Sequence, residues 1–277
     1  LGLQPREGQE EPNQLPAPRL FRIKAVVTAL LVWYLVSILA KAQAADLDLW
    51  GYLAFGRQFW ETGQFPYQDV FTYLPTHPIW VYHEWLTGVL YYPLYLWGGG
   101  AVLQLVRLLL ALGTVGLLAA TARRRGADFW GIVVLVLTSS GFLASGYAPV
   151  RAQVFTYFFF ALTLYFLEVC RLEQRWGRLL GLVPVFVLWA NLHGGFLAGL
   201  GLLGLYAAGE FLARRPWWPY ALVLLLAALA TLINPYGWHY WTYLGMAVTM
   251  PRLEIGEWAS VIKAWTEGLY RYNVIYR

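Results

Sequence analysis

Residues 179–209, LLGLVPVFVLWANLHGGFLAGLGLLGLYAAG, run for 31 positions without a charge. A bilayer asks for about 20 apolar residues per crossing helix, so this stretch is long for one span and tight for two. The pair Arg214-Arg215 just beyond it decides. Two crossings return both arginines to the basic side of the membrane, whereas one crossing strands them opposite it. The stretch therefore reads as two short spans, Leu179–Ala190 and Phe196–Leu212. Asn191-Leu192-His193-Gly194-Gly195 forms the turn between them.

The remainder of the chain follows the same pattern. Only 13% of the 277 residues are charged, against about 25% in a soluble domain, and 59% are hydrophobic. The 15 Trp and 19 Tyr suit residues that settle at headgroup depth. The formal charge of +5 does not point to nucleic acid, because the basic residues flank apolar runs and so serve membrane orientation. Cys170 is the single cysteine, so no disulfide forms within the chain. These features predict an all-α, multi-pass membrane protein with about seven spans.

Residues 1–24 read as a disordered cytoplasmic arm without a secretory signal, ending in Arg19, Arg22 and Lys24. Residues 25–250 form the transmembrane core, and 251–277 a polar tail. Span one is Ala25–Ala42. An outer loop, 43–100, follows and carries interfacial helices. Within it, Trp85–Trp97 is too short to cross, is interrupted by Pro93 and ends at Gly98-Gly99-Gly100. Span two is Ala101–Ala122, stopped by Arg123-Arg124-Arg125. Span three is Phe129–Tyr147 and span four is Gln153–Cys170. Span seven is Trp218–Ile233, followed by a weakly apolar stretch, Trp241–Met250. On this assignment twelve Lys and Arg lie on the cytoplasmic side, against four outside up to Tyr240.

The same assignment sends Asp46, Asp48, His77, His83, Glu84, Arg151, Asn191, His193, Asn234 and His239 to the outer face. Ionisable groups gathered at one mouth of a membrane protein mark a site. Each also has a bland reading. Asp48 stands before Leu49-Trp50 and could simply cap a helix. His83-Glu84 could be a hydrated interfacial pair, and with Asp48 they are weak candidates for a divalent cation. Arg107 lies about 9 Å inside span two. Arg107 and Arg151 could hold a phosphate or snorkel to the interface. Asn191 and His193 could bind a sugar or satisfy the backbone of their own turn.

The motifs DLDLW (46–50), GQFPYQDVFTY (63–73), WVYHEWL (80–86), RAQVF (151–155), WANLHGGF (189–196) and INPYG (233–237) resemble a bacterial group within the GT-C glycosyltransferase superfamily. These enzymes depend on polyprenyl-phosphate sugars. The resemblance spans about Ala25 to Trp258. It implies a seven-helix core in the bacterial cytoplasmic membrane, with the N-terminus cytoplasmic and the site outside. It also implies an acidic residue of the first outer loop as base or metal ligand, Asp48 first and Asp46 second. Arg151 and Arg107 are then candidates for the lipid phosphate, and His83, Glu84, Asn191 and His193 for substrate contacts. The expected partners are a lipid-linked sugar donor, membrane lipids and other membrane subunits, but no nucleic acid. Relatives usually continue beyond the point where this sequence stops. A reduced core would instead be a non-catalytic scaffold subunit of a larger membrane complex.

Overall fold

The computed structural model describes residues 17–41, 46–73, 79–250 and 261–266. All regular structure there is helical. The helices are α1 (Ala17–Lys41), α2 (Leu47–Thr62), α3 (Trp85–Arg124), α4 (Phe129–Gly146), α5 (Gln153–Glu173), a 3-10 turn (Trp176–Gly181), α6 (Leu182–Leu192), α7 (Phe196–Leu212), α8 (Trp218–Ala230), α9 (Trp238–Thr249) and α10 (Val261–Thr266). His77, most of the N-terminal arm and most of the polar tail lie outside the described residues.

Four of these helices, α1, α3, α4 and α5, are long and apolar enough to cross a membrane. Trp176–Leu192, Phe196–Leu212 and Trp218–Ala230 are apolar but shorter. The weakly apolar stretch after Tyr240 forms the helix α9, which begins at Trp238.

The expected break ahead of span two is present. Within α3, Gly98 and Gly99 leave helical geometry, and Gly99 adopts φ 61°, ψ −155°. That backbone region is essentially restricted to glycine. It divides the helix into a short first limb and a second limb of membrane-crossing length.

The interruption expected at Pro93 is absent, and a neighbour explains why. Proline lacks the N–H that would bond to the carbonyl four residues back. That carbonyl belongs to Val89, and the Trp60 indole N–H of α2 donates to it at 3.0 Å. The missing helical bond is replaced from outside, and α2 is fastened to α3 by the same contact.

The segment between α1 and α3 is packed by aromatic rings where it is described. Tyr82 stacks on Phe55 with centroids 4.7 Å apart and on Trp80 at 5.2 Å. Its backbone N–H donates to the Tyr236 hydroxyl at 2.9 Å. Tyr67 donates to the Pro235 carbonyl at 3.3 Å. The INPYG turn is thus an anchor for Tyr67 and Tyr82. Asn234 serves that turn, accepting from Tyr236 N–H and donating to the Thr231 carbonyl.

At the other end the arginine clusters converge on three glutamates. Arg124 and Arg178 pair with Glu173, Arg125 with Glu168, and Arg171 and Arg215 with Glu210. Tyr206 donates to Glu168. Glu168 and Glu210 are buried, so these pairs lock the turns after α3, α5 and α7 together. The helices therefore sort the polar residues into two ends, one mixed in character and one dominated by arginine.

Candidate functional site

The mixed end is assembled from segments more than 100 residues apart. α2 begins with Asp46 as its N-cap, whose carboxylate accepts from the Asp48 N–H at 2.8 Å. The cap is thus Asp46 and not Asp48. Two residues two apart inside a helix point in different directions. Asp46, however, has extended backbone at φ −124°, ψ 127°, so both carboxylates reach one partner.

That partner is Arg151, from the turn before α5. Its Nε lies 2.8 Å from Asp46 Oδ2, and its Nη2 donates to Asp48 Oδ2 at 2.6 Å. The two acids differ in access. The Asp46 side chain is 8% exposed and that of Asp48 is 49% exposed. With both aspartates ionised the triad carries one net negative charge.

A second group adjoins it. Glu84 caps the start of α3 and is largely buried, and the Tyr52 hydroxyl of α2 hydrogen-bonds its carboxylate. Glu84 Oε1 lies 3.4 Å from His193 Nε2 and 3.7 Å from His83 Nε2. Burial raises the Glu84 carboxyl to about 7, with Asp48 and Asp46 adding to the effect and Tyr52 and Arg151 opposing it. Tyr52 is itself raised above the ordinary phenol value, first by burial and then by Glu84, and so remains a neutral donor. His193 is lowered to about 3, first by burial and then by His83 and Arg151, and stays neutral.

The tautomer of His193 follows from its neighbours. The Gly195 N–H donates to Nδ1 at 2.8 Å. A backbone N–H can only donate, so Nδ1 presents its lone pair and the ring hydrogen sits on Nε2, facing Glu84. The Thr156 hydroxyl, 2.8 Å from Nδ1, accepts from the Trp189 indole N–H at 2.9 Å. This turn tolerates only glycine at 195, since a Cβ there would lie 2.3 Å from Thr156 Oγ1. His83 stacks on Tyr243, whose hydroxyl is 3.2 Å from its Nδ1.

Two of the expected site residues are employed elsewhere. Arg107 is 2% exposed. Its guanidinium donates to the carbonyls of Tyr147 at 2.6 Å, Ala148 at 2.7 Å and Leu39 at 2.7 Å. These groups stand at the C-terminal ends of α4 and α1, where unsatisfied carbonyls attract a cation. Snorkelling is therefore corrected to burial, and the phosphate role loses its positional support. Asn191 donates to the Val187 and Ile233 carbonyls and accepts from the Trp85 indole, so it braces its own turn.

Comparison of the chain with family models, curated proteins and solved structures finds no match.

Among the described residues no three His, Cys, Asp or Glu side chains gather as a metal site. The proposed donor set agrees poorly with a cation. Asp48 is held by Arg151, and His193 turns a protonated nitrogen toward Glu84.

Sequence reasoning brought Asp46, Asp48, Arg151, His83, Glu84 and His193 to one mouth, and they do meet there. It passed over Tyr52, Thr156, Trp189 and Tyr243. Trp189 was within reach, because it stands one helical turn before His193.

Proposed function

We propose that this chain is a membrane glycosyltransferase that moves a sugar from a polyprenyl-phosphate donor to an acceptor at the outer face. In this reading it crosses the bacterial cytoplasmic membrane seven times with its N-terminus inside, the three shorter apolar helices serving as spans. The observation that supports it is the juxtaposition of the Asp46–Arg151–Asp48 triad with the buried Glu84–His193 pair.

The chemistry is a displacement at the anomeric carbon. The acceptor oxygen forms the new bond, the bond to phosphate breaks, and polyprenyl phosphate departs with the electron pair. Asp48, half exposed, takes the acceptor proton. Arg151 then turns its charge to the leaving phosphate, while the buried Asp46 keeps the guanidinium in place. Glu84, His83 and His193 hydrogen-bond the sugar hydroxyls.

One observation favours the scaffold alternative. Arg151 is already neutralised by two carboxylates, an arrangement that equally serves to pin α2 to α5. Purification in mild detergent with mass spectrometry of bound lipids and proteins separates the two readings. A co-purifying polyprenyl phosphate or its sugar conjugate, together with transfer activity lost in Asp48→Asn, supports the enzyme. A stoichiometric set of partner proteins, with no such lipid, supports the scaffold and sinks the transferase.

A further inference from the structure

A groove with a cavity volume of about 390 Å³ runs between α3, α4 and α5 at the arginine end, and no residue of the triad lines it. Its size falls within the range of ligand pockets, about 300–1,000 Å³. It exists because α4 leans on α1 and α3 and leaves the facing side of α5 uncovered. Its walls are apolar, with Leu118 and Ala119 from α3, Leu135 and Leu143 from α4, and Leu164 from α5. The Ser139 hydroxyl is spent on the Leu135 carbonyl of its own helix, and the charged groups lie at one end, where Arg125 meets Glu168 and Tyr206.

The dimensions suit one hydrocarbon chain. From Ile132 to Leu143 the groove follows α4 for about 16 Å at 1.5 Å per residue, roughly half of a 30 Å hydrocarbon core. A dry apolar groove in lipid is filled by hydrocarbon, since water finds no polar partners along its walls.

The charge at the mouth selects the headgroup. Arg123, Arg124 and Arg125 end α3 on the exposed surface beside the polar end. Glu173 pairs with Arg124 and Glu168 with Arg125. Arg123 forms no ion pair among the described residues, Glu173 is shared by Arg124 and Arg178, and Arg175 also faces Glu173, so positive charge is in excess. A phosphate is the group that this surplus attracts.

We infer that this groove binds an anionic glycerophospholipid of the leaflet on the arginine side, with one acyl chain between α4 and α5 and its phosphate at Arg123. The site is separate from the proposed sugar transfer and stands whether or not that reading holds.

The test uses the full chain in detergent, offered phosphatidylglycerol or phosphatidylcholine, with bound lipid counted by native mass spectrometry. One phosphatidylglycerol should be retained at least fivefold more strongly than phosphatidylcholine. Arg123→Gln, at an exposed position that leaves the fold intact, should weaken that retention about fivefold, the weight of one basic side chain at an anionic surface. Ser139→Trp, which fills the groove, should abolish it. Equal retention of the two lipids, retention of neither, or phosphatidylglycerol binding untouched by both substitutions would overturn the inference.

Discussion

Glu84 Oε1 lies 3.4 Å from His193 Nε2, and the Gly195 N–H bonded to Nδ1 puts the ring hydrogen on that nitrogen. A neutral ring thus supports a carboxylate that is otherwise poorly solvated. The carboxylate accepts from Tyr52 and faces the His193 Nε2 across 3.4 Å, and both neighbours are uncharged. Neither compensates fully for lost water, which is why its proton is held so tightly.

This arrangement sets the sign of a pH effect. Glu84 rises from 4.5 to about 7 on folding, so the folded state binds the proton more strongly. Its contribution to stability is fully present below about 4.5 and is lost as the pH rises through about 7. The stability of the wild type relative to Glu84→Gln should therefore decline across that window, by an amount on the order of 3 kcal/mol. Thermal melts of both proteins from pH 4.5 to 8 measure it, and a flat difference would refute the burial argument. His193 acts in the opposite sense, because its folded value is lowered from 6.5 to about 3. Its stabilising contribution is present above 6.5 and is lost as the pH falls toward 3, so a His193→Gln comparison should show the reverse slope.

Arg151 should couple unequally to its two carboxylates. Asp46 is nearly buried, whereas Asp48 is half in water and well screened. Double-mutant cycles with Arg151→Ala should give a coupling of about 1–3 kcal/mol to Asp46→Asn. With Asp48→Asn it should be below about 1 kcal/mol. Equal couplings in thermal or denaturant unfolding would mean that Asp48 is as structural as Asp46.

The division of the chain into two polar ends was legible because it rests on charge and apolar length, which are sequence properties. The break at Gly98-Gly99 was legible for a similar reason, since Gly99 takes a backbone conformation that glycine alone readily adopts. Asn191 was legible as one of two alternatives, since bracing its own turn was the bland reading. The roles of Arg107 and Pro93 were not. Each depends on which distant group lies nearby: helix ends at Leu39 and Tyr147, or the Trp60 indole. The glutamates among the arginines were also overlooked. A positive-inside count weighs basic residues alone, so Glu168, Glu173 and Glu210 contributed nothing to it.

Trp60 and Pro93 offer a test of the substituted helical bond. Trp60→Phe removes the donor to Val89 and should cost about 1 kcal/mol. In a Pro93→Ala background the helix regains its own N–H for that carbonyl, so the same Trp60→Phe change should cost measurably less. An identical cost in both backgrounds would show that the indole acts through ring packing and not through its hydrogen bond.

Arg107 separates a structural arginine from a ligand-binding one. Its guanidinium serves three carbonyls from two helix ends, and the bonds to Tyr147 and Leu39 are buried. Arg107→Met would leave those carbonyls without a donor while roughly preserving side-chain volume. The expected loss is about 3–5 kcal/mol, seen as a lowered melting temperature and a reduced folded yield in detergent. Arg107→Lys should recover only part of it, since an ammonium is a point charge and lacks the planar fork that reaches α1 and α4 together. An arginine kept for a lipid phosphate would behave differently. Arg107→Met would then melt like the wild type and lose only donor binding, because relieving a buried cation of its ligand does not unfasten helix ends. A melt unchanged by Arg107→Met would return this residue to the phosphate site.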